Sequence, residues 1–269
     1  MLLDSHGIQL NVELVGEGPP LMLLHGFTGS SQSWRPLLPL LQRQNQLLLV
    51  DLIGHGLSEA PADSVRYSVD SAAQDLFQVL DYFSFRKVSL LGYSMGGRCA
   101  LRLAVQAPER FSALILESSS PGIADADARQ ARRQADEALA AWLEAHGLEA
   151  FVERWTNLPL FASQQQLPDA VKEELRRQRL RNCLHGLANS LRGMGTGAQD
   201  SLWDKLAEVK VPVLLLAGEL DDKFKQIGCS MQSLLPFASL QVLPNAGHTV
   251  HLEQPELFVD RIGKFLGNR

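Results

Sequence analysis

Short apolar runs recur in the first and last parts of the chain and predict buried β-strands. They lie at residues 21–24, 47–50, 87–91, 111–116, 211–216 and 240–243. Residues 8–14 alternate apolar and polar side chains, a period typical of a half-exposed strand. Between the second and third runs, the apolar residues from 68 to 83 repeat at helical spacing. This alternation predicts an α/β fold with a mostly parallel, doubly wound sheet.

Other helices are predicted around these strands. Ser31 or Ser33 is expected to cap a helix that continues to Leu41. Residues 98–104 and 255–265 also have helix-compatible patterns. The second of these helices closes the chain after its last predicted strand.

The alternation stops between about Pro121 and Asp200, where the patterning is helical without a convincing strand. Helices are predicted there at 125–146, 148–155, 168–182 and 185–192. We therefore expect an α/β core formed by residues 1–120 and 200–269, with an all-helical cap inserted at 121–199.

Composition excludes several classes of function. The 269 residues are 45% hydrophobic and 20% charged, as in an ordinary globular protein. A net charge of −5 argues against binding to nucleic acid or to anionic membranes. No apolar run approaches the roughly 18–20 residues that a membrane helix needs, so membrane insertion is not expected.

The cysteines and the first residues bear on compartment and cofactors. Cys99, Cys183 and Cys229 are scattered without metal-ligand spacing, which favours reduced thiols over a disulfide framework or a zinc site. Residues 1–7 lack a basic segment followed by a long apolar stretch, so no signal peptide is expected. We expect a cytoplasmic protein, a monomer or small homo-oligomer, that uses no metal or cofactor and acts on a small molecule.

The sequence Gly92-Tyr93-Ser94-Met95-Gly96 has the G-x-S-x-G pattern of a nucleophile elbow. It lies between a predicted strand and a predicted helix, where a tight turn would lift the serine hydroxyl clear of the sheet. The flanking glycines remove Cβ atoms that would collide in such a turn. Ser94 is therefore the candidate nucleophile or base.

A serine hydroxyl needs an imidazole and a carboxylate to become reactive at neutral pH. The acid and the histidine follow the serine in chain order in this class of site. Asp221 follows one predicted strand, and His248 follows the next. Asp222 and, more weakly, Glu117 remain alternatives for the acid, and His251 is the alternative histidine.

Backbone N–H groups that converge on one point are needed to stabilise an oxyanion. Met95, directly after the serine, is placed to supply one such group. Phe27, in the His25-Gly26-Phe27 turn after the first buried strand, is placed to supply the other. We expect the side chain of His25 to support this loop rather than to act as an acid or base.

Five motifs together resemble the α/β-hydrolase superfamily: His25-Gly-Phe, Asp51-x-x-Gly-His-Gly-x-Ser58, Gly92-Tyr-Ser-x-Gly-Gly-Arg98, Gly218-Glu-x-Asp221 and Gly247-His248. More narrowly, the chain is similar to the 2-succinyl-6-hydroxy-2,4-cyclohexadiene-1-carboxylate (SHCHC) synthases, the MenH family. The narrower likeness lies in 92–98, 117–122, Trp155 with 158–161, 187–197 and 219–224.

That resemblance implies a lyase of menaquinone or phylloquinone biosynthesis. It would eliminate pyruvate from 2-succinyl-5-enolpyruvyl-6-hydroxy-3-cyclohexene-1-carboxylate, with the triad as general base and the oxyanion hole stabilising an enolate. A carboxylesterase or C–C bond hydrolase that uses the same triad as nucleophile is the alternative.

Cationic side chains favour an anionic substrate. Arg98 lies four residues after Ser94, on nearly the same helical face. An unpaired guanidinium beside a nucleophile is costly to bury, but its forked donors suit carboxylates. The resemblance implies four further substrate-binding residues: Tyr93, Arg132, Trp155 and Arg179. Arg133 and Arg181 remain alternatives to the two cap arginines.

Overall fold

The computed structural model describes residues 1–267 and contains one eight-stranded sheet within them. The strands are β1 (Leu2–Ser5), β2 (Ile8–Val15), β3 (Pro20–Leu24), β4 (Gln46–Val50), β5 (Val88–Tyr93), β6 (Phe111–Glu117), β7 (Val213–Gly218) and β8 (Ala238–Leu243). Their order is β1-β2-β4-β3-β5-β6-β7-β8. Only the β1–β2 and β2–β4 pairs among these strands are antiparallel. The prediction of a mostly parallel sheet is confirmed.

The α-helices are α1 (Leu38–Leu41), α2 (Val69–Tyr82), α3 (Met95–Gln106), α4 (Ala126–Thr156), α5 (Asp169–Leu180), α6 (Leu184–Met194), α7 (Asp222–Leu234), α8 (Val250–Glu253) and α9 (Pro255–Gly267). Shorter 3₁₀ segments lie at Ser31–Leu37, Ser64–Tyr67, Pro108–Arg110, Pro159–Gln166 and Trp203–Glu208. The chain thus winds repeatedly from strand to helix, as the apolar pattern predicts.

The sheet is covered on both faces. Helices α2 and α3 pack against one face, in a cluster that includes Leu76, Leu101 and Leu114. Helices α1 and α9 cover the other face, where Leu41 and Phe258 meet Leu91 and Leu214. Burial on both faces explains why the central strands read as continuous apolar runs. In this arrangement β3, β5, β6, β7 and β8 run parallel, so their carboxyl ends share one edge.

Some local predictions were wrong. The helix after β3 is capped by Ser30, whose hydroxyl accepts from Gln32 while the Ser33 hydroxyl accepts from the Ser30 N–H. Neither predicted cap, Ser31 nor Ser33, is the N-cap, because the segment begins one residue earlier as a 3₁₀ helix. Strand β1, helix α7 and the 3₁₀ segment at Pro159–Gln166 were not predicted, and β7 starts two residues later than expected.

Residues 121–199 contain helices α4 to α6 and no strand, within the described chain. Helix α4 is interrupted at Gly147, where φ is 85°, so the predicted break between 146 and 148 is present. Helices α4 and α6 pack through a separate apolar cluster that includes Leu143 and Leu187.

Of the predicted core segment 200–269, residues 268 and 269 lie outside the described residues. No helix in 1–267 is both long enough and apolar enough to cross a membrane.

Candidate active site

Ser94 lies on a sharp turn between β5 and α3. Its φ of 49° and ψ of −107° place a non-glycine residue in a left-handed, strained conformation. The surrounding glycines are required by close backbone contacts. A Cβ on Gly92 would lie 2.5 Å from the Gly96 oxygen, and a Cβ on Gly96 would lie 2.2 Å from the Leu24 oxygen. The turn therefore fits this sequence pattern and presents the hydroxyl at the carboxyl edge of the sheet.

His248 joins this serine to a carboxylate. Its Nε2 lies 3.2 Å from the Ser94 Oγ, and its Nδ1 lies 2.8 Å from the Asp221 Oδ2. The other Asp221 oxygen accepts the N–H of Phe224 at 3.2 Å. With Nδ1–H donated to the carboxylate, Nε2 is the acceptor for the serine hydroxyl. Asp221 and His248 are both buried, so this chain of hydrogen bonds is shielded from water.

The alternatives to these residues are engaged elsewhere. Asp222 is exposed and pairs with Lys225 at 2.8 Å, which lowers its pKa. Glu117 and His251 pair with each other, with 2.8 Å between Nδ1 and Oε2, and both are buried. The structure therefore brings Asp221 and His248, but none of these three alternatives, to Ser94.

Met95 and Phe27, the two residues predicted to supply backbone N–H groups, both line the chamber that contains Ser94. Met95 is the first residue of α3, where N–H groups have no partner within the helix. The loop that carries Phe27 approaches from β3, so that a Cβ on Gly26 would lie 3.6 Å from the Ser94 Cβ.

His25 holds the Phe27 loop in place. Its Nδ1 donates to the Gly26 oxygen at 2.8 Å, and its Nε2 accepts the N–H of Leu52 at 3.0 Å. Burial lowers the pKa of His25, which keeps the ring neutral in this supporting role.

A chamber of about 190 Å³ opens above Ser94 and His248. Its walls come from the turn after β5, from α3, from the helical segment 121–199 and from the start of α7. Three cationic side chains and no carboxylate line it within the described chain; the cations are Arg98, Arg132 and Lys223. A chamber with this lining is suited to a polyanion.

Arg98 lies one helical turn after the serine, and its N–H bonds the Ser94 oxygen at 3.1 Å. The guanidinium is buried and donates from Nη1 to Oε1 of Gln199 at 2.5 Å. Burial lowers the pKa of Arg98 to about 10, still well above neutrality. Because its protein partner is a neutral amide, the cation keeps its charge available to a ligand.

Arg132, on α4, donates from Nε to the buried carboxylate of Asp136 at 2.8 Å. This ion pair fixes the arginine at the chamber wall while leaving its other nitrogens free of the Asp136 contact. Trp155, also on α4, packs edge-on against Phe27 with 5.0 Å between ring centroids. Its indole N–H is buried without an acceptor, so it can donate to a bound substrate.

Arg179 does not line this chamber. It lies in a neighbouring cavity that shares the walls Phe27, Tyr93 and Phe161 with the chamber. Its guanidinium lies over the Phe161 ring at 5.3 Å and donates to the Thr156 hydroxyl at 2.7 Å. Arg133 and Arg181, the alternatives from the sequence, are both exposed and line neither cavity.

Tyr93 forms the wall between the two cavities. Its hydroxyl hydrogen-bonds the Thr249 hydroxyl at 2.8 Å, and its ring contacts the His248 ring at a centroid distance of 5.5 Å. Burial raises the pKa of Tyr93 well above its usual range, so the phenol stays neutral.

Sequence reasoning assigned no role to Lys223 or Gln199. The sequence feature that could have identified Lys223 is its position in the 219–224 motif, two residues after Asp221. No sequence feature could have identified Gln199, since it reaches Arg98 from 101 positions away in the chain.

Within residues 1–267, no group of three or more His, Cys, Asp or Glu side chains is arranged to hold a metal ion.

The fold and the site define a class of protein. A serine on a strained strand-to-helix turn, with an aspartate and a histidine following from loops at the same sheet edge, is the arrangement of α/β hydrolases. A family model described as alpha/beta hydrolase fold matches residues 19–255.

Within that class, several relatives carry the same name. A 2-succinyl-6-hydroxy-2,4-cyclohexadiene-1-carboxylate synthase of Klebsiella pneumoniae is 34% identical over 93% of this chain and 94% of its own. A Bacillus subtilis protein provisionally given the same name is 47% identical over 97% of this chain and 96% of its own. The structure of MenH from S. aureus has a TM-score of 0.92 and 37% identity, covering 96% and 98% of the two chains. The chain belongs to the SHCHC synthase family of α/β hydrolases.

Proposed function

We propose that this protein is a carbon–oxygen lyase that eliminates pyruvate from 2-succinyl-5-enolpyruvyl-6-hydroxy-3-cyclohexene-1-carboxylate to give SHCHC. The observation that carries the proposal is a chamber with three cations and no carboxylate beside Ser94, among the described residues. The substrate has several carboxylates, and such a lining matches its charge. The names of the relatives support the same activity.

The chemistry is an elimination that shifts a ring double bond. Removal of the proton on the ring carbon next to the succinyl ketone creates an enolate. Its electrons form the new double bond, the existing double bond moves along the ring, and the carbon–oxygen bond to the enolpyruvyl group breaks. The leaving group is the enolate of pyruvate, which takes up a proton at its methylene carbon and becomes pyruvate.

We assign the roles as follows. Ser94 removes the proton, its own hydroxyl proton passing to His248 Nε2, while Asp221 holds the imidazole in the required tautomer. The backbone N–H groups of Phe27 and Met95 stabilise the enolate oxygen. The substrate is held by Tyr93, Arg98, Arg132 and Trp155, with Arg179 acting from the neighbouring cavity.

The competing function is ester or C–C bond hydrolysis by the same triad. In that reaction Ser94 would attack a carbonyl carbon instead of removing a proton. The cationic lining favours elimination, because a neutral ester has no use for three cations beside the serine.

The decisive experiment supplies the enolpyruvyl substrate to the purified protein and follows pyruvate release with lactate dehydrogenase. We expect rapid release by the native protein and loss of most turnover in Ser94→Ala. An aryl ester is assayed in parallel. Rapid ester hydrolysis without pyruvate release would reject the lyase in favour of the esterase.

We also propose that residues 121–199 act as a cap over the core formed by 1–120 and 200–269. The protein would work in the cytoplasm, as a monomer or small homo-oligomer, on a small molecule and without nucleic-acid or membrane partners. The acidic net charge of −5 and three free cysteines within the described residues are consistent with this proposal.

A further inference from the structure

We propose that Gln199 is a positioning residue that holds the Arg98 guanidinium at the wall of the catalytic chamber without neutralising its charge. The Oε1 of Gln199 accepts a hydrogen bond from Nη1 of Arg98 at 2.5 Å. Arg98 lines the chamber, whereas Gln199 does not, so an effect of Gln199 on a ligand passes through the arginine. Its effect on turnover rests on the proposed function, but its effect on the charge of the chamber does not.

The amide of Gln199 is confined where the two ends of the helical segment 121–199 meet. Gly122, near the start of that segment, has a φ of 96°, and a Cβ there would lie 2.8 Å from Nε2 of Gln199. The indole N–H of Trp203 donates to the Gly122 oxygen at 3.1 Å, which ties this glycine to the chain just after Gln199. Only glycine permits so close an approach at this φ, and the approach keeps the amide behind Arg98.

The two arginines of the chamber have different kinds of partner. Arg132 pairs with the Asp136 carboxylate at 2.8 Å, so their charges cancel. Arg98 makes no ion pair within residues 1–267, and both Arg98 and Gln199 are buried, at 8% and 7% exposure. The positive charge of Arg98 is therefore left for a ligand, in surroundings that screen it less than water does.

Glutamine suits this position better than a hydrocarbon or a carboxylate would. A hydrocarbon side chain would leave the buried Nη1–H without an acceptor, which is costly. A glutamate would accept the same hydrogen bond but would cancel the charge, so that a ligand carboxylate would meet an ion pair instead of a cation. The amide satisfies the donor and keeps the cation, and it thereby favours an anionic ligand over a neutral one of the same shape.

The hydrogen bond also selects the edge of the guanidinium that meets the ligand. Because Nη1 is occupied by Gln199, the nitrogens left for a carboxylate are Nε and Nη2, which have no acceptor among the described residues. These two N–H groups point the same way and can bind both oxygens of one carboxylate. Gln199 thus sets the orientation of Arg98 as well as preserving its charge.

The kinetic test compares Gln199→Glu and Gln199→Met, which keep the length of the side chain, with the exposed control Gln232→Glu. For Gln199→Glu we expect kcat/KM for pyruvate release to fall about 10- to 100-fold, mainly through KM, as it would on loss of the cation. Gln199→Met should lower kcat/KM at least about 2-fold and no more than Arg98→Gln does. Gln232→Glu adds the same charge elsewhere and should match the native protein. Native kcat/KM in Gln199→Glu would overturn the proposal, because a merely structural residue tolerates a glutamate that keeps the hydrogen bond.

A double-mutant cycle shows whether Gln199 acts through Arg98. When Arg98→Gln is already present, Gln199→Met should cause no further loss of kcat/KM, because the cation that it positions is gone. Additive losses would overturn the proposal. Urea unfolding checks that each variant is folded, and Gln199→Met with the cycle decides the question if Gln199→Glu does not fold.

A binding measurement separates this inference from the proposed function. The probe is 2-succinylbenzoate, a stable aromatic analogue of SHCHC with two carboxylates, titrated calorimetrically into each full-length variant. We expect Gln199→Glu and Arg98→Gln each to bind it about 10- to 100-fold more weakly than the native protein does. This pattern without pyruvate release would reject the lyase and keep the role of Gln199. Equal binding by the native protein and Gln199→Glu would overturn that role, as would no binding to the native protein at millimolar probe.

Discussion

Glu117 accepts two hydrogen bonds from one residue, His251: the backbone N–H at 2.9 Å and the ring Nδ1 at 2.8 Å. Both residues are buried, and the Nδ1–carboxylate separation equals that of 2.8 Å between His248 and Asp221. These two imidazole–carboxylate pairs are neighbours, because the Tyr93 ring contacts the rings of both His248 and His251. Only the His248–Asp221 pair touches Ser94, since the Nε2 of His248 faces its hydroxyl.

Glu117→Gln should therefore lower the stability of the protein more than it lowers kcat. The amide keeps one acceptor but faces the Nδ1–H with a competing donor, which should lower the free energy of unfolding by about 1–3 kcal/mol. We expect kcat to fall less than about tenfold, because the pair does not reach the reacting atoms. Urea unfolding and pyruvate release measure the two effects. A loss of kcat as large as that of Ser94→Ala, at unchanged stability, would make Glu117 a member of the catalytic machinery.

Asp221→Asn and Asp222→Asn form a matched pair that identifies the triad acid. Asn at 221 would reverse the tautomer of His248, and we expect kcat to fall about 10³- to 10⁴-fold, as such changes do in serine hydrolases. Asn at 222 removes an exposed ion pair with Lys225 and should change kcat little. The rate of pyruvate release is the measurement. Equal losses in both variants would contradict the assignment of Asp221.

Arg98→Gln should weaken substrate capture more than it slows the chemical step. The change removes one buried cation that faces the chamber, and we expect kcat/KM to fall about 10- to 100-fold, mainly through KM. Exposed Arg133→Gln serves as the control because it removes the same charge outside the chamber. Steady-state kinetics of pyruvate release separate KM from kcat. A purely kcat effect of Arg98→Gln would show that the guanidinium acts in the transition state alone.

Gly96→Ala tests the geometry of the serine turn. The new Cβ would lie 2.2 Å from the Leu24 oxygen and 2.6 Å from the His25 oxygen, so the backbone of the turn or of the Phe27 loop must move. We expect a loss of about 1–3 kcal/mol in the free energy of unfolding, together with reduced activity. Gly263→Ala is the matched control, since its nearest contact lies at 4.0 Å on a flexible side chain. Chemical denaturation compares the two variants, and equal stability would contradict the close packing of this turn.

Stability should decrease in mild acid because of a buried histidine. Burial, with a smaller effect from His25, lowers the pKa of His55 from 6.5 to about 3. Between these values the unfolded chain binds a proton that the folded chain does not. The free energy of unfolding therefore falls as pH decreases, by about 1.4 kcal/mol per pH unit from this group.

The variant His55→Gln isolates this contribution. Urea unfolding between pH 4.5 and 6.5 should show a shallower pH dependence in His55→Gln than in the native protein. The window lies above the range in which most carboxylates titrate. An unchanged slope would mean that His55 is protonated in the folded state.

The sequence by itself determined the features that depend on local rules. Apolar runs buried on both faces predict the parallel strands, and the helical patterns at 125–146 and 148–155 leave a gap at Gly147, where the structure interrupts α4. The pattern around Ser94 predicted its turn because only glycine tolerates the close backbone contacts at positions 92 and 96. The motifs also led to the correct family.

Only the tertiary structure decided which side chains meet. Asp221 and Asp222 are adjacent in sequence, but the start of α7 directs one to His248 and the other to solvent. Glu117 is engaged by His251, Gln199 reaches Arg98 from far along the chain, and Arg179 lies beyond Tyr93 in its own cavity. Such pairings depend on how loops and helices from distant parts of the chain pack over the sheet. No local pattern of apolar and polar residues encodes that packing.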